Sequence, residues 1–149
     1  MSDSKYVKVG NSGIHGTGVF AVKRIPKGRD FIEYIGKRKR WEGEDTSSGL
    51  TYLMQISKNM VIDGTINGND ARFINHHCTP NCETTRIGNR VFVTALRTIQ
   101  PGEEITYDYK LSLGQPPDEE DTRLWACRCS SPECRGTMLD LEELASYKS

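Results

Sequence analysis

Arg72-Phe73-Ile74-Asn75-His76-His77-Cys78-Thr79-Pro80-Asn81-Cys82 packs an arginine, two imidazoles, two amides and two thiols into eleven residues, a density foreign to an ordinary strand connection. Two readings are open for such a stretch. It is either a polar site with metal capacity or a surface loop whose Asn residues cap turns and whose Cys is buried. The chain on either side decides between them.

Towards the N-terminus the pattern is one of short strands cut by glycine turns. Tyr6 to Val9, Val19 to Val22 and Phe31 to Ile35 are separated by Gly13, Gly16, Gly18 and Pro26-Lys27-Gly28. The polar run from Lys37 to Gly49 has room for a short helix, after which Tyr52 to Ile56 and Met60 to Ile62 resume the strand pattern. Asp63-Gly64 and Asn67-Gly68 are turn signals, and Arg72 to Asn75 falls on or near a short helix or turn. Arg90 to Leu96 and Glu104 to Tyr109 alternate as strands on either side of Pro101-Gly102. The expected class is therefore mainly β with short helices.

With 149 residues the chain is sized for one domain. Twenty basic and twenty acidic residues cancel, which argues against sequence-blind binding to nucleic acid or to an anionic membrane. No apolar stretch approaches the ~20 residues that span a bilayer, and the polar start, Met1 to Gly10, has no export signal. A soluble intracellular protein is expected, with no membrane partner. Lys37-Arg38-Lys39-Arg40 reads as a solvated face. Ser112 to Asp121, acidic and proline-bearing, reads as an exposed linker, and Leu139, Leu141, Leu144 and Tyr147 form a stripe for a short terminal helix.

Five cysteines in such a chain are thiols or metal ligands rather than a disulfide framework, since an odd number cannot all pair internally. Cys127, Cys129 and Cys134 follow the spacing C-x-C-x4-C, one ligand short of a tetrahedral zinc site. The fourth must come from elsewhere.

Three further segments stand in fixed order around the opening stretch: His15-Gly16-Thr17-Gly18-Val19-Phe20-Ala21, Phe31-Ile32-Glu33-Tyr34-Ile35-Gly36 and Glu104-Ile105-Thr106-Tyr107-Asp108-Tyr109. Together the four resemble the SET-domain family of protein lysine methyltransferases, from about Tyr6 to Leu139. The resemblance implies a curved, β-clip-like fold in which the Asn75-His76 segment meets the Tyr107 to Tyr109 segment in a knot-like threading. It implies a SET domain over 1–111, a linker over 112–124, a post-SET zinc module over 125–139 and a tail over 140–149.

The implied activity is methyl transfer from S-adenosylmethionine to a protein lysine, on a histone tail or another lysine-bearing protein, with a nuclear or chromatin location if the substrate is a histone. For the cofactor, Gly16 and Gly18 flanking Thr17 leave the backbone open to close approach. His15 and Thr17 line that pocket through backbone, Arg72 and Asn75 add polar contacts, and the His76 backbone bonds the adenine. A plain glycine turn is the alternative for the first of these. Tyr109 is implied as the catalytic tyrosine, Tyr52 as a wall of the lysine channel, and Tyr107 as the residue whose hydroxyl limits the product mainly to monomethyl-lysine, with some dimethylation. Asp108 and Glu104 are expected in structural roles, because alternation turns Asp108 away from both tyrosines.

By the same resemblance Cys78 is the fourth zinc ligand, beside Cys127, Cys129 and Cys134, and Trp125, Met138 and Leu139 cover the adenine and close the channel. Cys82 is left as a buried thiol. His77 stands where serine is commonest in the family, and Lys37 follows Gly36 in place of an acidic residue. The competing reading is a non-catalytic SET-type module that binds lysine-bearing tails. Tyr109, Tyr52, Asn75 and the intact Gly16-Thr17-Gly18 favour the enzyme.

Overall fold

The computed structural model describes residues 5–14, 16–40, 52–57, 59–110, 116–127, 129 and 131–147. Strands β1 (Val7–Asn11) and β2 (Thr17–Ala21) form an antiparallel hairpin, with Val7 opposite Ala21 and Asn11 opposite Thr17. β3 (Asp30–Tyr34) is followed by β4 (Lys37–Arg40), β5 (Leu53–Ser57) and β6 (Met60–Asp63). A 3-10 turn at Asp70–Phe73 leads into the two-residue β7 (Asn75–His76), and β8 (Cys82–Ile87), β9 (Arg90–Ala95) and β10 (Thr106–Tyr107) complete the strands. Two short helices close the chain, α1 (Glu119–Leu124) and α2 (Leu141–Ser146). The mainly β expectation holds.

Two three-stranded antiparallel sheets carry the body, in the orders β3-β9-β8 and β4-β6-β5. β9 shows why its sequence is a strand: Val91, Val93 and Ala95 are buried at period two while Arg90, Phe92 and Thr94 face the other way. Ile25 and Ile99 exchange backbone hydrogen bonds at 2.9 Å in both directions and, with Ile62, Ile74 and Ile105, are wholly buried. Each such side chain contributes about 1.5–3 kcal/mol relative to exposure. No helix among the described residues is long and apolar enough to cross a membrane.

The structure departs from the sequence reading at several places, and the strand expected over Glu104 to Tyr109 is one only at Thr106–Tyr107. Lys37–Arg40 is a strand rather than the start of a helix, paired antiparallel with β6 so that Lys39 meets the Asp63 carboxylate at 3.1 Å; residues 41–50 lie outside the described residues. Cys82–Ile87 is a strand that alternation did not reveal, because past the buried Cys82 it carries mostly exposed residues and owes its form to the ladder with β9. Within the expected linker, Asp118 and Asp121 make a reciprocal capping box that starts α1, and its acidic first turn suits the positive end of a helix. In α2, Leu141 and Tyr147 are 49% and 36% exposed, so the expected stripe is not packed; Leu139, ahead of the helix, is the buried member.

Candidate functional site

The shortest sheet organises the site. β7 and β10 pair in parallel, Asn75 with Thr106 and His76 with Tyr107, and the His77 N–H donates to the Tyr107 carbonyl at 3.3 Å. A two-residue parallel pair has little stability of its own. Asn81 supplies the rest: its Oδ1 accepts from the Thr106 N–H at 2.9 Å, its Nδ2 donates to the Glu104 carbonyl at 2.8 Å, and it is buried. The second amide of the opening stretch is thus a clamp between the two polar segments.

This clamp sets the tyrosines. Tyr107 and Tyr109 lie with ring centroids 5.1 Å apart, and the Tyr109 ring meets His76 edge-on at 5.4 Å. The Tyr109 hydroxyl donates to the Ile74 carbonyl, and its backbone N–H donates to His76 Nδ1 at 3.0 Å. Tyr52 packs edge-on against Phe73 at 5.8 Å, the Arg72 guanidinium lies 4.6 Å from the centroid of the same Phe73 ring, and Tyr52 is an electrostatic neighbour of Tyr109. Arg72 also donates to the Gly64 carbonyl at 3.3 Å. Burial holds the Tyr107 and Tyr109 hydroxyls well above the usual tyrosine range, so both are neutral.

Tyr34 belongs to the same group, although the sequence reading gave it no role. It is buried at the end of β3, its hydroxyl donates to the Tyr52 carbonyl at 2.5 Å, and burial raises its ionisation far out of range. Its place among the buried positions of β3 was the available signal.

Around the glycine loop, the Ser12 N–H donates to the Gly16 carbonyl at 2.8 Å, and Asn75 Nδ2 donates to the Thr17 carbonyl at 3.1 Å and to Glu104 Oε2 at 3.0 Å. Ser12 Oγ reaches both oxygens of the same carboxylate at 2.9 and 2.8 Å. Asn75 therefore ties the loop to β7 and Glu104. The two glycines have different reasons. Gly16 adopts φ +46 with open space where a Cβ would stand. At Gly18 a Cβ would lie 2.4 Å from Glu104 Oε2. Gly18→Ala should displace that anchored carboxylate and cost about 1–3 kcal/mol, read as a lower denaturation midpoint; an unchanged midpoint would show that Glu104 is not held. His15 lies outside the described residues.

The Sγ atoms of Cys78, Cys127, Cys129 and Cys134 all lie within 4.8 Å of one another, with Cys78 at 3.7 Å from Cys127 and 4.0 Å from Cys134. A tetrahedral zinc with bonds of about 2.3 Å needs sulfurs about 3.8 Å apart, so the donor set fits. Burial pushes the Cys78 and Cys127 thiols up, while the Gly136 N–H brings Cys134 down to about 7. Four thiolates this close need a dication among them. Cys82 stays apart, wholly buried, its thiol pushed up to about 12 by burial.

His76 lies between the cluster and the tyrosines. With Nδ1 accepting from Tyr109, the ring proton sits on Nε2, 3.5 Å from Cys78 Sγ. Burial brings the imidazole down to about 4, against the pull of Asp108, so it is neutral. His77 Nδ1 accepts from the Thr79 N–H at 3.0 Å, a turn-closing role that a serine hydroxyl also fills.

Trp125, at the end of α1, is buried, and its carbonyl accepts from the Met138 N–H at 2.9 Å. Its Nε1 is a buried donor without a protein partner among the described residues. Leu139 is buried, with its N–H on Thr137 Oγ1 at 3.1 Å. Asp108, expected to bond backbone on the face away from the tyrosines, accepts from the Lys110 N–H at 3.1 Å but is chiefly engaged by Arg135, a residue the sequence reading passed over. Burial raises the Asp108 carboxyl, and the guanidinium outweighs it, leaving it below the usual range.

The SET domain family profile matches residues 16–110. The chain is 40% identical over 92% of its length to the histone-lysine N-methyltransferase set1 of Dictyostelium discoideum, 39% over 87% to the histone-lysine N-methyltransferase trithorax of Drosophila virilis, and 40% over 89% to an H3 lysine-4 specific histone-lysine N-methyltransferase of Schizosaccharomyces pombe. It spans 10%, 4% and 15% of those relatives.

Proposed function

The chain belongs to the SET-domain family, and from that premise we propose that it transfers a methyl group from S-adenosylmethionine to a lysine side-chain amine on a histone tail, adding mainly one methyl with some dimethylation. The observation that carries the reading is the β7 and β10 pairing, which sets Asn75 and His76 against a wall of neutral, buried tyrosines. The H3 lysine-4 specificity in several relatives' names makes lysine 4 of histone H3 the first substrate to test, and chromatin the place of action.

The residues present fit the cofactor: Gly16 takes φ +46 with open space beside its backbone, and Trp125 holds a buried N–H with no protein partner among the described residues. Bound there, S-adenosylmethionine supplies an electrophilic methyl on a sulfonium. Gly16, Thr17, Gly18, Arg72, Asn75 and His76 would hold it, with His15, Trp125, Met138 and Leu139 completing the pocket. Zinc on Cys78, Cys127, Cys129 and Cys134 would be structural, with no open position for chemistry.

The lysine must arrive without its proton. A channel walled by Tyr52, Tyr107 and Tyr109 disfavours the ammonium by desolvation, and none of the buried hydroxyls of Tyr107 and Tyr109 is a tyrosinate able to take the proton near neutral pH. Asp108 is an anion already held by Arg135. The proton therefore leaves to solvent, and turnover rises with pH as the substrate amine is deprotonated. Alignment of amine and methyl is the remaining task of the chain, and positioning accounts for several kcal/mol in such reactions.

The test is mass spectrometry of core histones, nucleosomes and basic non-histone proteins after incubation with cofactor. Monomethylation of one H3 lysine is expected. In the Tyr107→Phe variant, loss of the hydroxyl leaves room for further methyls, and di- and trimethyl product should rise about tenfold relative to monomethyl. An unchanged product ratio would remove Tyr107 from its role; no methylation of any protein would leave the non-catalytic module.

A further inference from the structure

Arg135 joins the cysteine cluster to the tyrosine strand. Its backbone N–H donates to Cys78 Sγ at 3.4 Å, while its guanidinium donates to both oxygens of Asp108, at 2.5 and 3.2 Å, and to the Thr137 carbonyl at 3.3 Å. Asp108 stands between Tyr107 and Tyr109 in sequence and is held at both ends. Its Oδ1 accepts from the Lys110 N–H, closing a turn in which Lys110 takes the left-handed conformation at φ +46, and lies 3.7 Å from His76 Nδ1, the atom that also accepts from the Tyr109 N–H. The ion pair is half-buried, and the forked geometry is one that a lysine cannot reproduce.

We propose that Arg135 is a positioning residue for Tyr109: through Asp108 it fixes the backbone of residues 108–110, so that closing the C-terminal cysteine segment onto the strand also sets the tyrosine. The connection runs through side-chain atoms and is separable from metal binding, because truncating the guanidinium leaves the Arg135 N–H on Cys78 in place. Without the guanidinium, the Lys110 N–H and the neutral His76 ring are the groups left around Asp108 among the described residues, and neither carries a charge to replace it. Lys110 loses the carboxylate orientation that holds its strained backbone, at a position where a non-glycine residue adopts positive φ only with local support. Its activity arm rests on the methyltransferase reading; its exchange arm does not.

The experiment compares zinc-loaded wild type with Arg135→Ala, Arg135→Lys, Asp108→Asn and the double variant Arg135→Ala/Asp108→Asn. Zinc content is measured first and should stay at the wild-type level. Amide exchange by mass spectrometry should then show protection over residues 108–110 falling about tenfold in each single variant, with β8 and β9 unchanged. In turnover, kcat should fall about tenfold while the cofactor KM stays within about twofold, and the double variant should be no worse than either single one. Should Arg135→Ala fail to fold, Asp108→Asn and Arg135→Lys carry the same comparison. Wild-type exchange at 108–110 in zinc-loaded variants, or single effects that multiply in the double variant, would overturn the proposal. A wild type without turnover would overturn the methyltransferase reading instead, since the exchange result is independent of it.

Discussion

Tyr109→Phe should lower kcat by about 100-fold or more while changing stability by only about 1 kcal/mol. The reason lies in how the hydroxyl is used. It donates its proton to the Ile74 carbonyl, which fixes the oxygen and turns its remaining acceptor capacity away from the backbone. In the proposed reaction that oxygen accepts weak C–H contacts from the transferring methyl, each worth about 0.5–1 kcal/mol. Their sum is small, but their loss frees the alignment of amine, methyl and leaving sulfur, where small misplacements are costly. Since burial keeps the hydroxyl neutral, the variant's pH profile should keep the wild-type shape, rising as the substrate amine loses its proton, at a lower level throughout. Single-turnover kinetics over a pH series measures both. Full activity in Tyr109→Phe would sink the mechanism.

Zinc removal should have the second large effect. Purified protein is expected to hold about one zinc per chain, and a strong chelator should abolish turnover, with recovery when zinc is returned. The four sulfurs join Cys78, two residues beyond His76, to Cys127, Cys129 and Cys134 in the segment that also carries Trp125 and Leu139. Without the metal, four thiols meet within 4.8 Å of one another with little attraction to hold them. Cys78→Ser should therefore lose zinc and activity together. Cys82→Ser is the internal comparison: that thiol is buried apart from the cluster, so the variant should melt earlier yet retain its metal. Metal content by elemental mass spectrometry decides. Sub-stoichiometric zinc in active protein, or activity indifferent to chelation, would end the structural-zinc reading.

Much of this was legible in the chain. Period-two alternation marked β9, and glycine turns set off the N-terminal strands, β3 among them. The cysteine spacing announced three ligands and the need for a fourth. Less visible were elements whose form comes from a partner. β4 is a run of four cations that becomes a strand because β6 supplies a ladder and Asp63 a counter-charge. β8 carries few buried side chains and is fixed by β9. Local pattern has little to say where the stabilising atoms come from elsewhere.

The stretch from Arg72 to Cys82 shows the division most clearly. Its composition by itself left a polar site and a capped surface loop both open, and its order among three other segments decided between them and identified the family. Only the tertiary structure decided the work of most of its polar side chains: Asn75 on Thr17 and Glu104, Asn81 as the clamp onto Thr106, and His76 between Tyr109 and Cys78. Apart from the neighbouring Cys78, those partners lie 25 to 58 residues away in sequence, and Arg135 on Asp108 is another of the same kind. A hydrogen bond or an ion pair is specified by where two groups meet, and for residues distant in sequence that meeting point exists only once the chain has folded.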